Sequence, residues 1–189
     1  MALAPKNLRK LDLVARRPVA DHGIFTIEHA TYAGYPRDIT LLACRDWANV
    51  IAETEDGDVV LVWQYRYGTD RFSLEIPGGV VDAGEDPAAA AIRELREETG
   101  YAADRVELLA TWAPNPAFQG NRMHTFVARG VRLEGAAAFD DLEDLETLLV
   151  PRAEIAGLLD RGAIDHALIV CALERWLRRV TGPGTPSPA

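Results

Sequence analysis

The sequence is short of cysteine and of long apolar runs, and each shortage excludes a class of protein. Cys44 and Cys171 are the two cysteines among 189 residues. They are too few and too far apart for a disulfide framework or a cysteine-based zinc site, so we expect two buried thiols. No apolar run approaches the ~18 residues of a membrane helix, and the charged start lacks the apolar segment of a secretory signal. We therefore expect a cytoplasmic protein without membrane contact.

Basic residues are also scarce: 20 Lys and Arg stand against 29 Asp and Glu, a net charge of −9. Nucleic-acid backbones are contacted chiefly by Lys and Arg, so no nucleic-acid partner is expected. The acidic residues are unevenly distributed. Residues 75–98 contain seven acidic and two basic side chains, and residues 140–146 contain five acidic side chains and no basic one. The negative charge therefore comes from two patches.

The order of predicted elements is mixed. Segments rich in β-branched and aromatic residues predict strands between Ile24 and Arg66, and again near residues 106–112, 123–128 and 145–150. Asp86 and Pro87 predict the start of a helix that Gly100 ends. Further helices are expected near residues 152–159 and 164–180. This mixture predicts an α/β or α+β sandwich, followed by a disordered tail at residues 181–189.

A cluster of carboxylates on the first predicted helix points to metal chemistry. Glu94, Glu97 and Glu98 are three or four residues apart, so they project from one helix face. Like charges at this spacing repel each other, and a divalent cation reverses that effect. Oxygen ligands without His or Cys suit Mg²⁺ or Mn²⁺. The alternative interpretation is a solvated helix face with intrahelical salt bridges.

The spacing around these carboxylates resembles the Nudix box. The box requires Gly, five residues, Glu, seven residues, then Arg-Glu-apolar-any-Glu-Glu-any-Gly-apolar. The matching positions are Gly79, Glu85, Arg93, Glu94, Leu95, Glu97, Glu98, Gly100 and Tyr101. Seven positions demand a single residue type, so a chance match has a probability on the order of one in a million.

The resemblance implies a fold and a domain division. The fold is the Nudix α/β/α sandwich with a mixed sheet and an N-terminal antiparallel β extension. Residues 1–55 would form this β-strand region and a dimerisation element, and residues 56–180 the hydrolase domain. The implied assembly is a homodimer.

The resemblance also implies roles for the residues of the box. The metal, Mg²⁺ or alternatively Mn²⁺, would be held by Glu94, Glu97, Glu98 and the carbonyl of Gly78. Glu97 and Glu98 would also be catalytic. Structural support would come from Gly79 and from an ion pair between Glu85 and Arg93.

Features outside the box resemble the ADP-ribose and nucleotide-sugar pyrophosphatase branch of that family. They are Pro116, which lies 15 residues after Tyr101, and the segments QYR at 64–66 and LEIPGG at 74–79. The resemblance implies that Arg66 meets the phosphates or sugar of the substrate, with Glu75 beside it. A strand-end salt bridge between Arg66 and Glu75 is the alternative.

Two further groups of residues are candidates for the reaction. Asn115, Phe118 and Gln119 surround Pro116, where the branch commonly has a Ser-Pro-Gly turn followed by an acidic residue. The side-chain amides of Asn115 and Gln119 suit a sugar or base, and the ring of Phe118 suits either stacking on a base or packing in the core. This departure keeps nucleotide sugars other than ADP-ribose open. By resemblance, the acidic loop at 140–146 supplies a catalytic carboxylate, Glu143 or Glu146; a merely solvated loop is the alternative.

The expected function is hydrolysis of the diphosphate in a nucleoside diphosphate-linked small molecule. ADP-ribose or a nucleoside diphosphate sugar would yield a nucleoside monophosphate and a sugar phosphate. The alternatives are a sensor of the same fold that binds a nucleotide or sugar without turnover, and a pyrophosphohydrolase of RNA 5′ ends.

Overall fold

The fold was analysed in a computed structural model that describes residues 7–138 and 144–181. Its contacts divide the chain into two compact units. The first unit contains the chain up to Arg45 together with Asn115–Asn121. The second contains Asp46–Pro114 and the chain from Arg122 onward. The division therefore falls after Arg45 rather than after residue 55.

The first unit is built on a three-stranded antiparallel sheet. Its strands, in spatial order, are β1 (Leu13–Asp21), β2 (Phe25–Tyr32) and β3 (Ile39–Cys44). The sequence patterns did not predict β1, which contains Arg16, Arg17 and Pro18. An edge strand tolerates charge and proline because one of its edges needs no partner strand. The weak pattern of β1 thus reflects its position at the edge.

Within the described residues, the second unit contains an eight-stranded mixed sheet and three α-helices. Its elements are β4 (Trp47–Thr54), β5 (Asp58–Arg66), β6 (Arg71–Glu75), β7 (Gly78–Val80), α1 (Pro87–Thr99), β8 (Tyr101–Ala102), β9 (Glu107–Trp112), β10 (Met123–Leu133), β11 (Leu145–Pro151), α2 (Ile155–Asp160) and α3 (Ala167–Thr181). The central order is β11-β5-β4-β10-β8, with β6 beside β5, β7 beside β4 and β9 beside β10. Strands β4 and β10 run parallel. These pairings place β4 in the second unit, although it precedes the predicted boundary.

The two faces of this sheet bury different residues of the same strands. On β4, Val50 lies in the cluster that packs against Leu95 of α1. Its neighbour Ile51 lies in the opposite cluster with Trp176 of α3. Alternation along a strand produces this division, since successive side chains point to opposite faces. Helices on both faces of a mixed sheet confirm the predicted α/β/α sandwich and its separate antiparallel extension.

The prediction of two buried cysteines is wrong. Cys44 is half-buried and Cys171 is exposed, and neither forms a disulfide. The buried positions of α3 are Ile169, Ala172, Leu173 and Trp176. Cys171 lies off this stripe of three- and four-residue spacing and therefore faces solvent.

Two further predictions concern the C-terminal tail and membrane-spanning helices. Thr181 is the last residue of α3, and the rest of the predicted disordered tail lies outside the described residues. Within the described ranges, no helix combines the length and apolar character needed to cross a membrane.

Candidate active site

The carboxylate-bearing helix α1 has well-defined ends. The side chain of Asp86 accepts a hydrogen bond from the backbone N–H of Ala88 at 2.8 Å, and Pro87 occupies the first turn. At the other end Gly100 adopts a φ of 74° and donates to the carbonyl of Arg96 at 2.9 Å. The glycine is needed there because the left-handed conformation is unfavourable for a residue with a Cβ. These caps fix the rows on which the carboxylates lie.

The three carboxylates of α1 differ in burial. Glu98 is only 4% exposed, and it accepts a hydrogen bond from the backbone N–H of Gly78 at 2.9 Å. Glu94 is mostly buried, whereas the side chain of Glu97 is about half exposed. Glu98 is therefore held by β7, whereas Glu97 is open to solvent.

Arg93 links the loop before α1 to the carboxylates of the helix. Its Nε and Nη2 atoms donate to Glu85 at 2.9 and 3.1 Å. Its Nη1 atom donates to Glu94 at 2.8 Å and to Glu97 at 2.9 Å. The hydrogen bonds that Arg93 donates to Glu85, and then those to Glu97 and Glu94, outweigh partial burial and raise the pKa of Arg93. Arg93 thus holds the loop and balances the charge of its neighbours.

Gly78 and Gly79 of β7 have no side chain, so neighbouring groups lie very close to their backbone. A Cβ on Gly79 would lie 2.5 Å from Oε1 of Glu94 and would displace that carboxylate. A Cβ on Gly78 would lie 2.5 Å from the Cβ of Asn49 on β4. Because real Cβ contacts at these distances essentially never occur, Gly78 has no room for a side chain against its neighbours on β4, and a Cβ on Gly79 would force the carboxylate of Glu94 to move.

The chemistry of the donors fits a hard divalent cation. The carboxylates of α1 carry oxygen donors, the kind of ligand that Mg²⁺ and Mn²⁺ prefer. Gly79 provides the cradle, since any Cβ would fill the space beside Glu94. In the described part of the chain, however, no three His, Cys, Asp or Glu side chains converge as a metal site. Instead, Glu94 and Glu97 are turned onto Arg93.

Arg66 and Glu75 form the salt bridge that the sequence left as an alternative. Arg66 donates from Nε and Nη2 to the two oxygens of Glu75, each at 2.7 Å. Glu75 also contacts Nδ1 of His166 at 2.9 Å. His166 immediately precedes α3, and the sequence offered no motif that singles it out. Its partner lies 91 residues away, so the contact depends on the tertiary fold.

The pKa of Glu75 is lowered although the carboxylate is buried. Burial raises the pKa of Glu75, but hydrogen bonds from Arg66 and His166 outweigh that effect and lower the pKa to about 2. Burial lowers the pKa of Arg66, but this effect is outweighed by its hydrogen bonds to Glu75 and by the charges of Glu75 and Glu98. The pKa of Arg66 is therefore raised overall. Glu75 is therefore a fixed anion, and Arg66 lies within electrostatic range of Glu98 on α1.

The predicted substrate residues after β9 belong to the first unit. Asn115 accepts backbone hydrogen bonds from Phe118 at 3.2 Å and Gln119 at 2.8 Å, which closes a tight turn. The carbonyl of Phe118 then accepts from the backbone N–H of Leu42 on β3 at 2.8 Å. Pro116 lies exposed in this turn. The turn is thus joined to the N-terminal sheet, which the sequence did not reveal.

Of the two candidate carboxylates in the acidic loop, the structure describes one. Glu143 lies outside the described residues. Glu146 lies on β11 directly opposite Trp63 of β5, and Trp63 packs in the cluster on the α3 face. Directly opposed residues of an antiparallel pair share a face. The register therefore places Glu146 on the sheet face opposite the one that α1 covers.

Comparison with known families decides the assignment. The profile of the NUDIX domain matches residues 45–173, which is more than half of the chain. The chain belongs to the Nudix family. The match begins at the division between the two units and includes the whole Nudix box.

Nudix proteins with related sequences and structures include hydrolases of ADP compounds. An ADP-ribose pyrophosphatase from Bacillus subtilis is 31% identical over 126 residues, which are 66% of this chain and 68% of the relative. The ADP compounds hydrolase NudE of Escherichia coli is 27% identical over 180 residues, 92% of this chain and 96% of the relative. A crystal structure of an ADP compounds hydrolase has a TM-score of 0.82 and 26% identity, covering 95% of this chain and 99% of its own.

A further relative carries a different name. The methanol dehydrogenase activator of Bacillus methanolicus is 40% identical over 126 residues, 66% of this chain and 68% of the relative. Together these comparisons show a Nudix hydrolase of the ADP-ribose pyrophosphatase-like branch.

Proposed function

We propose that this Nudix hydrolase cleaves the diphosphate of ADP-ribose or of a nucleoside diphosphate sugar in a metal-dependent reaction. The products would be a nucleoside monophosphate and a sugar phosphate. The observation that supports this proposal is the complete carboxylate set on one face of α1, with Arg93 hydrogen-bonded to Glu85, Glu94 and Glu97. The printed names of two relatives and of the related crystal structure point to ADP-linked substrates.

The proposed metal ligands are Glu94, Glu97, Glu98 and the carbonyl of Gly78. A bound Mg²⁺ or Mn²⁺ would neutralise the charge of the diphosphate and activate a water molecule. The chain's own contribution is orientation. The N–H of Gly78 fixes one oxygen of Glu98, and Arg93 supplies a positive charge to Glu94 and Glu97. The carboxylates are thereby kept close together on the helix despite their repulsion.

The substrate would be recognised by residues outside the box. Arg66 combines a raised pKa with a guanidinium group that remains partly exposed, and such a group binds phosphate well. Glu75 contributes by fixing this guanidinium group. Asn115, Pro116, Phe118 and Gln119 are proposed to contact the sugar or base.

The group that deprotonates water is proposed among the carboxylates that the sequence suggested. Glu97 and Glu98 lie on α1, and Glu143 belongs to the acidic loop. Glu146 is the weakest of the four candidates, because its register places it on the other sheet face.

We also propose that the protein is a homodimer that uses its N-terminal strands. Several apolar side chains of the first unit are exposed, among them Leu13, Val14 and Val19 of β1. Exposed apolar side chains grouped on one element are typical of an interaction surface. Sedimentation velocity of the wild type and of Val14→Lys tests this assembly, and a monomeric wild type would contradict it.

A panel of ADP-ribose, nucleoside diphosphate sugars and capped RNA, incubated with Mg²⁺ or Mn²⁺, tests the proposed activity. We expect turnover of an ADP-linked or sugar-linked diphosphate. Glu98→Gln should lower kcat by at least ~100-fold, because even changes behind a metal ligand cost about 10–100-fold. Glu134→Gln removes an exposed carboxylate and serves as the control.

The same panel separates the alternatives. Tight binding without turnover would favour a nucleotide or sugar sensor. A preference for capped RNA would favour a hydrolase of RNA 5′ ends. Full activity of a folded Glu98→Gln variant would contradict the proposed mechanism.

A further inference from the structure

His166 lies beside Glu75, the carboxylate that holds the guanidinium group of Arg66. Its Nδ1 atom lies 2.9 Å from Oε2 of Glu75, the same oxygen that accepts from Nη2 of Arg66. Glu75 itself is only 1% exposed, so its carboxylate is shielded from bulk water. Hydrogen bonds in such surroundings are strong and directional.

The proton on this histidine can be assigned from its partner. Glu75 is an anion at neutral pH, because its hydrogen bonds outweigh burial and lower its pKa to about 2. An ionised carboxylate only accepts hydrogen bonds, so Nδ1 of His166 must be the donor. The imidazole therefore has a defined orientation, with Nε2 on the side away from Glu75.

The segment that carries His166 is itself held in place. The preceding residue, Asp165, forms an ion pair with Arg71 on the same strand, β6, that carries Glu75. On its other side, the carbonyl of His166 accepts from the backbone N–H groups of Ile169 and Val170 at 2.9 Å each. The imidazole is thus fixed by β6 and by the first turn of α3.

Arg66 uses only part of its guanidinium group on Glu75. Nε and Nη2 donate to the carboxylate, whereas Nη1 forms no hydrogen bond within the described ranges. The side chain is 44% exposed. The Nη1 edge of the guanidinium group is therefore available to another partner. The orientation of this edge depends on the position of Glu75.

We propose that His166 is a positioning residue, which through Glu75 holds Arg66 in the orientation that binds the anionic group of the substrate. This inference rests on the proposed function, in which Arg66 meets the diphosphate-linked substrate. It assigns His166 no contact with the substrate and no proton transfer. Loss of His166 should therefore weaken substrate binding and leave the chemical step intact.

Three substitutions of His166 distinguish this role from others. The side-chain nitrogen of Asn occupies a place similar to Nδ1, whereas that of Gln reaches the place of Nε2. We expect His166→Ala and His166→Gln to raise KM about tenfold, with kcat nearly unchanged, because a hydrogen bond to a charged group contributes roughly that factor. His166→Asn should retain a KM close to the wild-type value. Rescue by Gln rather than Asn, or an equal loss in all three, would overturn the proposal.

A double-mutant cycle tests whether the effect passes through Arg66. In an Arg66→Ala background, His166→Ala should cause no further rise in KM, because the group that it positions is gone. Independent and additive losses in the cycle would instead indicate a separate structural role and overturn the proposal.

A spectroscopic measurement makes the test independent of turnover. The Nε–H resonance of Arg66 in ¹H–¹⁵N spectra reports whether this hydrogen is held by Glu75. We expect its protection from exchange in the wild type and in His166→Asn, and its loss in His166→Ala. Unchanged protection in His166→Ala overturns the positioning role. If the wild type hydrolyses no diphosphate but this pattern is found, only the proposed function fails.

Discussion

The buried carboxylate of Glu75 should make the stability of this protein depend on pH in a way that one substitution removes. Burial opposes ionisation of Glu75, but the hydrogen bonds from Arg66 and His166 outweigh it and lower its pKa from 4.5 to about 2. A carboxylate with a lowered pKa in the folded state stabilises the fold at pH values above its unfolded pKa. That contribution is lost as the pH falls from about 4.5 towards about 2.

The size of the effect follows from the shift. A difference of one pKa unit corresponds to about 1.4 kcal/mol, so Glu75 contributes about 3 kcal/mol to the free energy of unfolding at neutral pH. About 2 kcal/mol of this is lost between pH 5 and pH 3. Solvent screens the charge of Glu75 little, because its side chain is almost fully buried.

Glu75→Gln cannot titrate, so it should lack this part of the pH dependence. Guanidinium chloride unfolding at pH 5, 4 and 3 should show the stability difference between wild type and variant shrinking by about 2 kcal/mol. This pH window largely avoids the titration of histidine, which is centred at about pH 6.5 in unfolded chains. Glu55→Gln, which changes an exposed carboxylate, controls for the loss of one charge. A constant difference between wild type and Glu75→Gln across the three pH values would refute the reasoning.

Three further predictions concern the box and the metal proposed to bind there. Gly79→Ala should weaken Mg²⁺ binding by about tenfold or more in calorimetry, because its Cβ would displace the carboxylate of Glu94. Gly120→Ala adds a Cβ in open space and should leave Mg²⁺ affinity unchanged. Gly100→Ala should lower stability by roughly 2 kcal/mol and the melting temperature by several degrees, since Gly100 has a positive φ and a Cβ there would meet the carbonyl of Gly135. Removal of Mg²⁺ with EDTA should abolish measurable binding of ADP-ribose in calorimetry, because the acidic site repels an anion.

The sequence predicted the parts of the molecule that local chemistry determines. The ends of α1 follow from Asp86, Pro87 and Gly100, which act within one turn of the helix. The contact between Glu85 and Arg93, which the resemblance to the Nudix box implied, joins residues eight positions apart within a single loop and helix. Such short-range features leave a readable spacing in the chain.

Features that depend on distant residues could not be predicted in this way. The contact of His166 with Glu75 and the pairing of Leu42 with Phe118 join residues far apart in sequence. The face on which Glu146 lies follows from its register with β5, and no composition pattern specifies register in an exposed acidic segment. The sequence patterns did not predict strand β1, because an edge strand can carry charges and proline.

The attachment of Asn115–Asn121 to the N-terminal sheet has a consequence for engineering. The chain enters the first unit twice, once at its start and once between β9 and β10. A protein shortened to the residues that match the NUDIX profile would lose Leu42, and with it the hydrogen bond that holds the carbonyl of Phe118. The profile boundary is therefore a poor place to cut, and domain swaps between relatives should exchange the strands and this segment together.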